Sequence, residues 1–179
     1  MGLDMYLYRF KRPPVVANNE PLMTLERFDD LWCNHPDDFE EVGYWRKANA
    51  VHQYFVNAVQ DGEDDCRFHD EVTPEILEDL RDRCKRIIES TAVINDNIVK
   101  GMHYDFDSES WQELMEESET IVDEDVCRHN LPVQGGFFFG SLSYDDWYMN
   151  HIAYTYDLCD KLLKETDFDS EMLLYHSSW

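Results

Sequence analysis

Between residues 61 and 130 the chain carries 22 acidic side chains against 7 basic ones, and that surplus limits every fold open to it. Carboxylates repel one another and resist burial, so a compact structure must turn these acids to solvent and build its core from the residues between and around them. The rest of the chain is milder: residues 1–60 hold 9 acids and 6 bases, and residues 131–179 hold 8 acids and 2 bases. The formal net charge is −24 over 179 residues. Disorder does not follow from that charge, because 43% of the chain is apolar and 14% aromatic, enough to bury a sizeable core. A single domain over 1–179 is expected from the length, with 91–130 as its acidic, less regular segment.

The same charge argues against direct contact with nucleic acid, whose phosphates need a basic footprint, and against an anionic membrane surface. No window approaches the roughly 18 consecutive apolar residues of a membrane span. The opening Met1-Gly-Leu-Asp-Met-Tyr-Leu-Tyr8 has an early acid and no basic stretch, which is not the pattern of a secretory leader. Tyr6 stands where a myristoylation signal wants Ser or Thr. Five cysteines (Cys33, Cys66, Cys84, Cys127, Cys159) are odd in number and widely spaced, so free thiols in a reducing cytoplasm are expected.

Periodicity then places the elements. Leu3, Met5 and Leu7 alternate with Asp4, Tyr6 and Tyr8, predicting a strand with one aliphatic and one aromatic face, ended by Pro13-Pro14. Thr24 is expected to cap a short helix to about Asn34, with Leu25, Phe28, Leu31 and Trp32 on one side. Trp45, Ala48, Val51, His52, Phe55 and Val59 fall at helical spacing and predict a helix over 45–60. Thr73-Pro74 is a helix start, and Ile76, Leu77, Leu80, Cys84, Ile87 and Ile88 form the stripe of a helix over 74–89. Ser110-Trp-Gln-Glu113 has capping-box form and predicts a short acidic helix. Gly135-Gly-Phe-Phe-Phe-Gly-Ser141 reads as a short buried strand. Ser143 is expected to cap a last helix over 144–164, with Tyr148, Ile152, Thr155, Cys159 and Leu162 facing inward. The expected class is α+β, a mostly helical single domain with a small antiparallel sheet of two or three strands.

Three blocks carry a resemblance: Met1-Gly-Leu-Asp-Met-Tyr-Leu7; Gly43-Tyr-Trp-Arg-Lys-Ala-Asn-Ala50 with His52 and Phe55; and Leu131-Pro132 followed by Gly136-Phe-Phe-Phe-Gly-Ser141 and Tyr144-Asp145. Together they resemble a group of small, mostly uncharacterised phage- and prophage-encoded proteins. The acidic segment between the second and third blocks lies outside the resemblance. The resemblance implies a bacterial-virus origin and a place in the bacterial host cytoplasm; it brings no catalytic residues.

Two constellations are offered as sites. The first is the acidic face itself: Asp64, Asp65, Asp79, Asp82, Glu113, Glu116, Glu117 and Glu119 would mimic the charge of a nucleic acid and occupy a basic, nucleic-acid-binding surface on a host protein. High charge that serves only solubility is the plain alternative, and Arg81, Arg83, Lys85 and Arg86 dilute the 74–89 helix. The second is Arg46-Lys47 at an expected helix start, with Tyr44, Trp45, Asn49 and His52 close by. Two bases and open N–H groups would hold a phosphate while an aromatic ring stacks on a base. The plain alternative pairs Arg46 and Lys47 with Glu40 and Glu41 and makes His52 a core residue.

Weaker patterns fail on spacing. Asp64-Asp65-Cys66-x-x-His69-Asp70 and Cys127-x-His129 lack the paired short spacings of a zinc site. Asp105-x-Asp107-x-Glu109 through Glu116 has Ser110 where a calcium loop needs Gly. Ser141 lacks the following Gly of a nucleophile elbow, and sequence supplies no geometry for His103, His129 or His151. No cofactor, no metal and no enzymatic activity are expected. The leading expectation is a phage accessory protein that inhibits a host defence or nucleic-acid-handling protein through its acidic surface. The alternative is a module that binds or sequesters a nucleotide or another phosphorylated small molecule.

Overall fold

The computed structural model describes residues 2–12, 25–91, 93–121, 123–136 and 139–179. Its centre is β1 (Asp4–Lys11), flanked on one side by β2 (Glu40–Arg46) and on the other by β5 (Glu171–Ser178), all antiparallel. The alternation of β1 does what it predicts, but both faces are covered. Leu3, Met5 and Leu7 enter the main core, while Tyr8 joins Phe28, Phe39, Phe68 and Leu174 in a second, aromatic core, with Tyr6 and Phe10 packed against it. In β5, Leu173 and Tyr175 face the first core and Met172 and Leu174 the second. A sheet buried on both faces has no polar alternation, which is why the run Met-Leu-Leu-Tyr gave no strand signal.

The main core is closed by α2 (Asn49–Val59), α3 (Pro74–Ser90) and α5 (Asp146–Glu165). The stripe read for α3 holds: Leu77, Leu80, Cys84 and Ile87 are buried, while Ile88 is exposed. Thr73 takes its cap position, although its hydroxyl serves the Glu75 carboxylate and holds it below the usual range. The inner face of α5 is Tyr148, Ile152, Thr155, Cys159 and Leu162 as expected, joined by Leu158. Its cap is Asp145, which accepts from the Tyr148 N–H at 3.1 Å, and not Ser143. Helix α1 (Leu25–Asn34) packs through Phe28 and Trp32. Pro13, Pro14 and Thr24 lie outside the described residues, as do the side chains of Leu25 and Leu31.

Three expectations are overturned. Trp45 and Arg46 end strand β2 instead of opening a helix, and α2 begins at Asn49. The side chains at 45, 48, 51, 52 and 55 share helical spacing because the inward-facing end of a strand runs straight into the inward stripe of a helix. Ser110-Trp-Gln-Glu113 does not open a short helix within the 91–130 segment. Most of that segment is a long hairpin of β3 (Val93–Asp105) and β4 (Ser110–Ile121), followed by the short α4 (Asp125–Asn130). Its paired β-branched and aromatic residues outweigh a coincidental Ser-x-x-Glu. Residues 135, 136 and 139–141 form a loop and not a strand, with Phe137 and Phe138 outside the described residues.

The fold class is therefore α+β, but it is not mostly helical: among the described residues strands hold about 29% beside about 41% in helices, in two antiparallel sheets. The five cysteines are free, and Cys84, Cys127 and Cys159 are buried. Burial pushes the Cys159 thiol up to about 12, so it is an inert core residue at neutral pH. Among the described residues no helix is long and apolar enough to cross a membrane.

Candidate functional site

The sharp passage from β2 into α2 builds one wall of a pocket. Lys47 sits there with φ 58, a left-handed conformation that costs a non-glycine residue about 1 kcal/mol. It is held by its N–H, which donates to the Leu3 carbonyl at 2.8 Å. Ala48 follows as the helix cap and supplies no side-chain acceptor. The N–H groups of Asn49, Ala50 and Val51, the first turn of α2, consequently have no acceptor among the described residues. These are the groups that carry the positive end of the helix dipole.

The second wall is the loop before α5, and Asn49 ties it down. Its Nδ2 donates to the carbonyls of Phe139 (3.2 Å) and Ser141 (2.8 Å), and its Oδ1 accepts from the Gln134 N–H at 3.0 Å. Gly140 lets the loop come this close. It has φ +94, and a Cβ there would lie 3.0 Å from the Lys47 Cβ. The third wall is the first two turns of α5, with Asp145, Trp147, His151 and Ile152.

The space between these walls is about 420 Å³, the size of a small-molecule site. Lys47 in its wall has no carboxylate partner among the described residues, in a protein of net charge −24. Arg46 beside it pairs with Asp4 at 3.3 Å and keeps a half-exposed side chain. Burial lowers the His151 imidazole from 6.5, against the pull of Asp145 and a hydrogen bond to the Arg46 backbone, so the ring is neutral at pH 7. Asp145 is the one acid in the lining besides these groups; its carboxylate is committed to the Tyr148 N–H, with the Ser141 hydroxyl 3.5 Å away.

Of the six residues read as a ligand site, three line this pocket: Arg46, Lys47 and Asn49. Trp45 does not. It is buried in the main core with its Nε1–H donating to Thr155 at 2.9 Å, so it cannot stack on a ligand. Tyr44 is outside the lining; it shares a strand face with Arg46 and donates to Asp4 at 2.5 Å, the carboxylate that Arg46 also pairs with. His52 is a core residue bridging Tyr175 (2.6 Å) and Asp64 (2.9 Å). The exposed ring at the pocket is Trp147, with His151 one turn on. Sequence reasoning missed it because the strand-to-helix turn at 47 and the start of α5 are about 100 residues apart in the chain. The Gly140-Ser141 pair was the available signal.

Four of the acidic residues read as a partner surface have partners within the molecule. Asp64 pairs with His52, Asp65 with His69 at 2.8 Å, Asp79 with Arg83 at 2.7 Å and Asp82 with Arg81 at 2.9 Å. Glu113 and Glu117 stand exposed on β4, and the side chains of Glu116 and Glu119 lie outside what is described. The oxygen-rich run from Asp105 serves the hairpin turn: Asp105 accepts from the Asp107 N–H, the Ser108 hydroxyl and the Gln112 amide. Cys127 is buried in the core, and His129 bonds the Asp125 carbonyl at 2.6 Å. Among the described residues no cluster of three or more His, Cys, Asp or Glu could hold a metal ion.

Compared with known proteins, the chain matches no family model, no curated protein and no solved structure.

Proposed function

We propose that the pocket between the start of α2 and the start of α5 binds a small phosphorylated molecule carrying an aromatic ring, a nucleotide being the simplest case, and that the protein works as a ligand-binding or sequestering module. The observation that carries this reading is an unpaired lysine beside three open N–H groups at a helix start, in a chain where most basic side chains described are paired with acids. Such a site offers a phosphate point-charge attraction from Lys47, a second cation in Arg46 and directed donors from the backbone. Trp147 takes the stacking role and Asn49 holds the loop that closes the pocket.

The inhibitor reading draws less on this geometry, since Asp64, Asp65, Asp79 and Asp82 already have internal partners. A phage accessory role in a bacterial cytoplasm is compatible with either reading.

Calorimetry and thermal shift against nucleoside mono-, di- and triphosphates and inorganic phosphate test the proposal. Binding is expected to fall about tenfold or more in Lys47→Ala, which removes a charged hydrogen bond. Trp147→Ala should erase the preference for nucleotides over inorganic phosphate, and Phe106→Ser, on the hairpin outside the pocket lining, should leave both unchanged. Absence of binding across the whole panel defeats the reading.

A further inference from the structure

Eight of the fourteen large apolar side chains left exposed among the described residues sit on the β3–β4 hairpin. The register sorts them. Val99 pairs with Met115, Met102 with Glu113 and Tyr104 with Trp111, which puts these side chains on one face of the two-stranded sheet. Phe106 continues that cluster at the turn: its ring lies 5.2 Å from Tyr104, and Tyr104 lies 5.6 Å from Trp111. Phe106 is 84% exposed and Trp111 65%. Among the described hairpin side chains, Ile121 at the root is the one buried in the main core. Contiguous exposed aromatic groups are rare on protein surfaces and mark interaction sites, because burial of such rings is where binding energy concentrates.

The charge around the cluster defines what can cover it. From Val93 to Ile121 the hairpin has eight acids and one base, Lys100. Asp107 and Glu109 lie in the turn, and Glu113 and Glu117 share the aromatic face by register. A second copy would bring the same carboxylates against these, and phosphates of nucleic acid or lipid would be repelled in the same way.

We propose that the hairpin tip is a docking element for another protein, one whose surface sets an apolar depression among lysine and arginine side chains. Tyr104, Phe106 and Trp111 are the anchors, and the acids around them steer the encounter and fix orientation. This site is separate from the pocket and stands without it.

The test uses the full chain and a fluorescently labelled peptide alternating Leu and Phe with Lys and Arg, beside the same peptide with Glu in place of the bases. Wild type should bind the basic peptide and ignore the acidic one, with affinity falling about tenfold between about 50 and 300 mM salt. The double variant Phe106→Ser/Trp111→Ser keeps every carboxylate and should bind about tenfold more weakly. Its thermal midpoint should match wild type, because both rings are exposed. Lys47→Ala should bind the peptide as wild type does, which separates this site from the pocket. Equal binding by wild type and the double variant would reduce the effect to bulk charge and overturn the proposal. So would binding to lipid vesicles, or a concentration-dependent dimer in sedimentation that the double variant abolishes.

Discussion

His52 shows what a single buried polar side chain can hold together. It is 1% exposed, and both ring nitrogens are engaged, Nδ1 with the Tyr175 hydroxyl and Nε2 with Asp64. With Nε2–H donating to Asp64 and Nδ1 accepting from tyrosine, a neutral ring satisfies all three groups. Burial and Asp64 push the Tyr175 phenol well above 10, so it stays a donor. Asp64 also accepts from the Trp179 indole at 3.1 Å, so the chain of bonds fastens the end of β5 to α2 and to the 61–65 turn. Removing the ring leaves a buried hydroxyl unpaired and opens a cavity. His52→Ala is expected to cost about 2–4 kcal/mol in urea unfolding, and Tyr175→Phe about 1 kcal/mol. A His52→Ala loss under about 0.5 kcal/mol would mean that the network contributes nothing net.

At the scale of elements, α5 and the hairpin both turn on which local signal wins. Two acceptors precede α5, Ser143 and Asp145, and only one can satisfy the first-turn N–H groups. Asp145 takes the extended backbone of a cap and receives the Tyr148 N–H, while the Ser143 N–H itself donates to the Ser141 hydroxyl. Asp145→Ala should therefore lose about 1 kcal/mol of stability and Ser143→Ala close to none. The opposite ranking would return the cap to Ser143. In the hairpin, the Ser110-x-x-Glu113 box fails because cross-strand partners are available: Ser110 opposes Asp105 and Glu113 opposes Met102. A capping box is worth only a fraction of what a twelve-pair ladder supplies.

Across the whole molecule the excess of 39 acids over 15 bases sets the response to salt. Ion pairs such as Arg12–Glu71 hold individual strands in place, but surface pairs contribute about 0–1 kcal/mol each. The unpaired acids repel one another more in the compact state than in the unfolded chain. Screening should relieve that repulsion, so the unfolding midpoint should rise as sodium chloride goes from about 20 to 500 mM. A midpoint that falls would show that the attractive pairs outweigh the net charge. The acids that cluster in sequence are divided among the 61–65 segment, α3 and the hairpin.

By itself the sequence determined the features whose physics is local. The two-residue alternation of Leu3, Met5 and Leu7 made a strand, and the apolar stripes of α3 and α5 made their inner faces, because side-chain period and backbone period must agree. The demand that carboxylates stay wet left every described acid but Asp145 at least partly exposed. What only the tertiary structure decided depends on groups far apart in the chain. β5 is a strand because β1 offers it hydrogen bonds along its full length. Trp45 is core and Trp147 is at the pocket because Thr155 and the main core lie behind one and open space in front of the other. The pocket exists because Asn49 reaches some 90 residues along the chain to the carbonyls at 139 and 141. Pairing and packing between distant segments leave no periodic trace in either partner, so they become visible only when the chain has brought both together.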